Sequence, residues 1–212
     1  PAQVILASAA SPRMDPDPHK AAENLETSLG QTWNWPEARD AAAASPHSLL
    51  VSHLLATGLE PRQRIHIFTR VLYAAASRIP CAALHFPNSQ CVVDPAEFLA
   101  FPPSDDERYP LQGLVNVRLF SVRNTEDEIV MDTLGLHVFG LPDLQCHCSG
   151  VNPDDLAGWL YSLAAYVAET ETFIEGGDTV DAFDGSRMRM EYEESIVAPR
   201  RVVLDIQPAP DA

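Results

Sequence analysis

The residues best equipped for chemistry sit together in the stretch LQCHC, where Cys146 and Cys148 flank His147. Two thiols and an imidazole at that spacing suggest a metal site or an activated nucleophile. If the stretch is a strand, alternation sends Cys146 and Cys148 to one face and His147 to the other, so one ion cannot gather all three. Zinc would need two further ligands, and the chain has no CxxC or HxxxH to supply them; His85 and His137 stand singly in other strands. Cys146 and Cys148 are therefore expected to be small core residues beside Leu144, and no metal or cofactor is expected. A nucleophilic Cys148 served by His137 would need an electropositive setting, and this region is acidic.

Other constellations are weaker. No G-x-S-x-G elbow is present, and the serine of CSGVN (148–152) suits a turn. The glycines of EGGDT (175–179) lack the lysine and spacing of a phosphate loop. In GGDTVDAFDG (176–185), Asp178, Asp181 and Asp184 fall three apart, which does not fit the alternate ligands of a calcium loop. A turn with Gly176 or Gly177 at positive φ fits that segment better. Paired carboxylates carry little information where 30 acidic residues are present.

Charge is the strongest bulk signal. The 212 residues carry 30 Asp and Glu against 14 Lys and Arg, a formal net charge of -16. Residues 101–212 hold 21 of the acids and 7 of the bases, so nearly all the excess lies in the second half. Such a field repels nucleic acid and anionic membrane and attracts a basic partner. The clusters expected to meet that partner are Asp105, Asp106 and Glu107; Glu126, Asp127 and Glu128; and Glu191, Glu193 and Glu194. No stretch approaches the roughly 18 apolar residues of a membrane helix, and the leading residues lack the basic start of a secretory signal. Four cysteines in a chain of this size, with Cys81 and Cys91 placed too far apart along a predicted hairpin to bridge, suit a reducing cytoplasm. Lys20 is the only lysine against 13 arginines, and that bias suggests a GC-rich bacterial genome.

These side chains must be held by a mixed set of elements. Apolar QVILASA (3–9) predicts a first strand, PHKAAENLETSLGQTW (18–33) a helix and SLLVSHLLA (48–56) a second strand. PRQRIHIFTRVLYAAASRI (61–79) places Ile65, Phe68, Leu72, Ala75 and Ile79 on one helical face behind Pro61. A hairpin over 81–94 turns at Pro87 to Gln90, and Asp94 caps a short helix. Strands follow at 114–124, at 128–140 with a bend at Gly135, and through LQCHC. The clearest helix is 152–170, with Asn152 as cap, Pro153 at its first position and the stripe Leu156, Leu160, Leu163, Val167. Two strands, 186–195 and 199–207, finish the chain. The fold class expected is α+β, with mixed, largely antiparallel sheet packed against about three helices. It forms a single domain over 1–212, open to division into 1–103 and 111–212 about the Pro-rich acidic segment between them.

The run DTLGLHVFGLPDLQ (132–145) resembles a family catalogued as domain of unknown function 4261, in Thr133, Gly135, Leu136, Phe139, Gly140, Leu141, Asp143 and Leu144. The likeness continues into the aromatic-bearing helix and the turn Gly177, Asp178, Thr179, and more weakly back through LLVSHLL, FTRVLYAA and VVDPAEF. From position 146 the chain departs from the family's polar pattern, which marks the cysteines as a local substitution. The resemblance names no chemistry. Proteins of this style are similar in size to bacterial immunity proteins, which neutralise secreted antibacterial toxins. The expectation is a non-enzymatic inhibitor of a basic toxin, most plausibly a nuclease, with a homodimer as a further possibility. The alternatives are a hydrolase using His53, His137 or His147 with neighbouring acids, and an accessory protein of a secretion system.

Overall fold

A computed structural model describes residues 3–8, 18–45, 47–52, 58–103, 111–170 and 174–209. The chain divides into two compact units, Pro1–Asn116 and Val117–Ala212. The division falls after the Pro-rich segment, so that residues 111–116 pack with the first unit. The cluster Asp105 to Glu107 lies outside the described residues, as does His53.

The first unit runs β1 (Gln3–Ser8), α1 (Pro18–Gly30), α2 (Ala38–Ala43), β2 (His47–Ser52), α3 (Pro61–Ala76), β3 (Cys81–Phe86), β4 (Cys91–Val93) and α4 (Pro95–Leu99). Its sheet has the order β2-β1-β3-β4, with β1 parallel to both β2 and β3 and only the β3–β4 hairpin antiparallel. Parallel neighbours require long crossovers, and the helices between β1, β2 and β3 provide them. Within the expected class, the parallel pairing is thus concentrated in this half. Helix α3 starts with Pro61 in its first turn, where a missing N–H costs nothing, and buries Ile65, Phe68, Thr69, Leu72 and Ala76. The hairpin turns where the prolines and polar residues predict, with the Gln90 N–H donating to the Pro87 carbonyl at 3.3 Å and Phe86 opposite Cys91. Asp94 caps α4 by accepting the Ala96 N–H at 2.8 Å.

Residues 111–116 close this unit against the hairpin turn. The Ser89 hydroxyl donates to the Gly113 carbonyl, and the Asn116 amide donates to the Gln90 carbonyl at 2.9 Å. Gly113 has φ of 79° and its Cα lies against the Phe86 ring, where any Cβ would collide. Glycine is required there twice over, for the backbone and for the space.

The second unit contains β5 (Asn116–Ser121, starting at the junction), β6 (Glu128–Leu134), β7 (Asp143–Ser149), α5 (Pro153–Thr170), β8 (Thr179–Asp181), β9 (Arg187–Glu194) and β10 (Val202–Pro208). Six strands form one sheet in the order β5-β6-β7-β10-β9-β8. Strand β7 is antiparallel to β6 and parallel to β10, while β9 is antiparallel to both β10 and β8. The strand expected to bend at Gly135 instead stops there. Gly135 has φ of 134°, Leu136–Phe139 form a single 3₁₀ turn, and Gly140 leaves it left-handed at φ of 78°. Helix α5 begins as its caps predict, with Asp154 N–H donating to Asn152 Oδ1 at 2.9 Å, and it packs against β6 and β7. Its expected stripe, Leu156, Leu160, Leu163 and Val167, is buried. Gly177 supplies the positive φ, 98°, of the turn leading into β8. The short elements α2 and β8 have too few residues to show a period and were not legible in the sequence.

The class is therefore α+β, as the sequence predicts. Among the described residues no helix is long and apolar enough to cross a membrane.

Candidate functional site

Strand register in the second unit assembles a polar row that no local motif announces. Asp132 on β6 stands opposite Gln145 on β7, Gln145 opposite Asp205 on β10, and Asp205 opposite Glu191 on β9. Alternation places all four on one face of the sheet. Asp132, Gln145 and Asp205 are buried, and Asp143 is buried two positions before Gln145 on the same face. Three buried carboxylates on one sheet face are the arrangement most able to perform acid–base work or to bind a cation.

The hydrogen bonds decide against free carboxylates. Arg118 is fully buried, and its Nε and Nη2 donate to the two oxygens of Asp132 at 2.9 and 2.6 Å in a bidentate fork. Its Nη1 donates to the Ala198 carbonyl at 2.9 Å. Arg201 reaches the same cluster from the start of β10. Its Nε donates to Asp143 Oδ2 at 2.8 Å, its Nη2 to Asp132 Oδ2 at 2.8 Å and to the Thr133 carbonyl, and its Nη1 to the Pro199 carbonyl. Two carboxylates thus meet two guanidinium groups, and the charges cancel inside the fold. Burial alone would lower the Arg201 pKa, but hydrogen bonds and charge from Asp132 and Asp143 hold it above the ordinary arginine value.

Asp143 also shapes the backbone. Its Oδ1 accepts the N–H of Gly135 and of Leu136, each at 2.9 Å, which fixes the 3₁₀ turn against β7. Thr133 completes the corner by accepting the Leu144 N–H at 2.8 Å. Among the described residues Asp205 has no cation beside it and instead accepts from the side-chain amides of Gln145 and Gln207 at 2.8 and 2.7 Å. Gln145 turns its carbonyl oxygen to the Ile196 N–H at 2.7 Å, which ties down the loop 195–201. The network is closed: its donors and acceptors hold β5, β6, β7, β10 and that loop together. Among the described residues no group of three or more His, Cys, Asp or Glu is placed to hold a metal ion.

The LQCHC stretch behaves as alternation requires. Cys146 is buried, Cys148 is half-buried, and His147 is exposed on the opposite face, 3.5 Å from Glu128. All four cysteines are free, so the unbridged Cys81 and Cys91 match expectation. His137 is exposed in the 3₁₀ turn. The acidic clusters remain separate: Glu126 and Asp127 are exposed between β5 and β6, while Glu193 and Glu194 are exposed on β9. Glu128 and Glu191 are partly buried, and Glu191 pairs with Arg189 at 2.5 Å, so these two are less open to a partner. Glu194 lies 3.4 Å from Arg200 in a fully solvated pair.

Sequence reading missed one other pair, in the first unit. The ring of His85 is buried, and its Nε2 lies 2.9 Å from the hydroxyl of Ser28, which is also buried. The hydroxyl's single proton goes to the Asn24 carbonyl at 2.9 Å, so the histidine is the donor and carries its hydrogen on Nε2. That leaves Nδ1 as a buried acceptor without a partner. A serine whose proton is already committed, on a side chain without solvent access, is not poised as a nucleophile. Burial lowers the His85 pKa to about 4, so the pair is neutral at physiological pH.

Residues 132–207 match the family described as domain of unknown function (DUF4261). A search of curated proteins gives no match. The matched segment begins at Asp132 and takes in Thr133, Gly135, Asp143, Gln145, Arg201 and Asp205 of the network, while Arg118 lies before it. The match lies within the second unit, and over residues 132–207 the chain is similar to the DUF4261 family.

Proposed function

We propose that the protein is a non-enzymatic binding protein that neutralises a basic partner through the acidic surface of its second unit. The partner class that fits is a secreted antibacterial toxin with a cationic cleft, such as a nuclease, which would make this chain a bacterial immunity protein. One observation supports the reading above the others. Residues 117–212 hold 18 acidic and 6 basic residues, and two of the bases, Arg118 and Arg201, are spent on the buried carboxylates Asp132 and Asp143. Most of the remaining negative charge lies on the surface, at Glu126, Asp127 and Glu193 among other positions, with Glu194 beside Arg200. A field of that kind steers a basic protein into encounter and does little for the fold itself.

The test is titration of the full chain with the product of the neighbouring gene across a salt series. Association should weaken as salt rises, through a slower on-rate. Reversing Glu126 and Asp127 to lysine, or Glu193 and Glu194 to lysine, should identify which cluster faces the partner. Binding that is absent, or indifferent to salt and to both reversals, would refute the electrostatic reading.

A further inference from the structure

The opposite face of the second sheet gathers sulfur. Cys146 and Cys148 are two residues apart on β7, so both thiols leave the strand on one side. Met131 stands directly opposite Cys146 on β6, and Ile129 stands opposite Cys148. Ile206 flanks Cys146 from β10. Opposed residues in an antiparallel pair have Cβ atoms about 4.5–5.5 Å apart, so the Met131 thioether is within reach of the two thiols. Cys146 and Met131 are buried, whereas half-buried Cys148 opens the cluster to solvent. The neighbouring Asp132, Gln145 and His147 alternate onto the other face.

Three sulfurs on one face of the sheet select for softness. Structural zinc takes four ligands, and a calcium or magnesium ion takes oxygen. Thiolates with a thioether favour Cu(I). A disulfide fits less well. Residues i and i+2 of an extended strand have Cα atoms about 6.6 Å apart, at the edge of the range that disulfides accept, and closing one would strain β7 between its two neighbours.

We propose that Cys146, Cys148 and Met131 form a site for one soft monovalent metal ion of the Cu(I) class. Binding releases the two thiol protons to solvent and leaves the ion held by two thiolates and one thioether, with no change of oxidation state. The site is independent of the partner-binding reading, because it uses the other face of the sheet and none of the acidic clusters.

The test is anaerobic titration of the reduced full chain with Cu(I) in competition with a bathocuproine chelator. One equivalent should pass from chelator to protein, with thiolate-to-metal absorption in the near ultraviolet. Cys148→Ser, a change at a half-exposed position, should lose that equivalent while circular dichroism shows the fold retained. Met131→Leu, close in volume, should weaken the competition without removing it. Cys81→Ser, in the other unit, should change nothing. The proposal is overturned if the chain withdraws no Cu(I), or if Cys148→Ser still takes one equivalent. Unchanged competition by Met131→Leu overturns the three-sulfur assignment.

Discussion

The two units bury polar groups in opposite ways. The first hides a neutral pair, Ser28 with His85, and leaves one ring nitrogen without a partner. The second hides a set of ions, Arg118, Asp132, Asp143 and Arg201, and satisfies them thoroughly. The difference teaches where each solution is stable. A lone imidazole survives burial by giving up its proton, so its unit is exposed to acid. Asp132 and Asp143 survive burial beside guanidinium groups, so their unit is sensitive to the loss of either partner. The ionic solution also provides specificity, since a bidentate fork fixes the register of β5 against β6 in a way that apolar contact does not.

The largest test of this contrast is Arg118→Met. It strips Asp132 of two donors in a buried setting and should destabilise the second unit by about 3–5 kcal/mol. Denaturant unfolding followed at Trp159, with Trp33 and Trp35 replaced by phenylalanine, measures it. Substituting Asp132→Leu in addition should recover a substantial part of the loss, and failure to do so would show that the cost is packing and not an orphaned charge.

Acid should single out the first unit. His85 has a folded pKa of about 4 against an ordinary 6.5, so the unfolded chain binds the proton more readily. Its contribution is fully present above pH 6.5 and is lost as pH falls from 6.5 through 4, a change on the order of 3 kcal/mol. Unfolding monitored at Trp35, which packs against Ala38, Ala83 and Val92, should show this slope, and His85→Gln should flatten it. An unchanged slope in that variant would assign the acid sensitivity to carboxylates elsewhere.

Gly113→Ala combines a forbidden φ with a collision against Phe86 and should cost the first unit about 1–3 kcal/mol, read from the same Trp35 transition. A neutral result would mean that the 111–116 segment is not part of its cooperative core. Glu194→Gln removes a pair whose side chains are 69% and 70% exposed, and it should change the second unit by less than about 0.5 kcal/mol. A larger effect would show that surface charge, as well as the buried network, supports this fold.

Much of the architecture was legible because it is written locally. Pro61, Asp94 and Asn152 mark helix starts through bonds within a few residues, and alternation alone separated His147 from its two cysteines. The hairpin turn at Pro87 to Gln90 followed from the same short-range chemistry. Two expectations fell short for a local reason too. Gly135 ended its strand where a bend was expected, because Asp143, eight residues later, captures the backbone that follows. The alternation of Asn116 and Arg118 with valine and leucine on β5 gave no sign that both polar residues are buried.

Element order, helix caps, the class α+β and the concentration of negative charge in the second half all follow from local sequence. It also marked Asp132 to Leu144 as a recognisable motif without revealing its purpose. Strand packing is what brings Arg118 and Arg201, 14 and 69 residues from Asp132, together on it, and what lets Gln145 and Asp205 complete one row across the sheet. The same strand order placed Met131 beside the cysteine pair. The physical reason is that caps, turns and alternation depend on bonds between near neighbours, whereas the pairing of buried ions depends on which strands lie side by side.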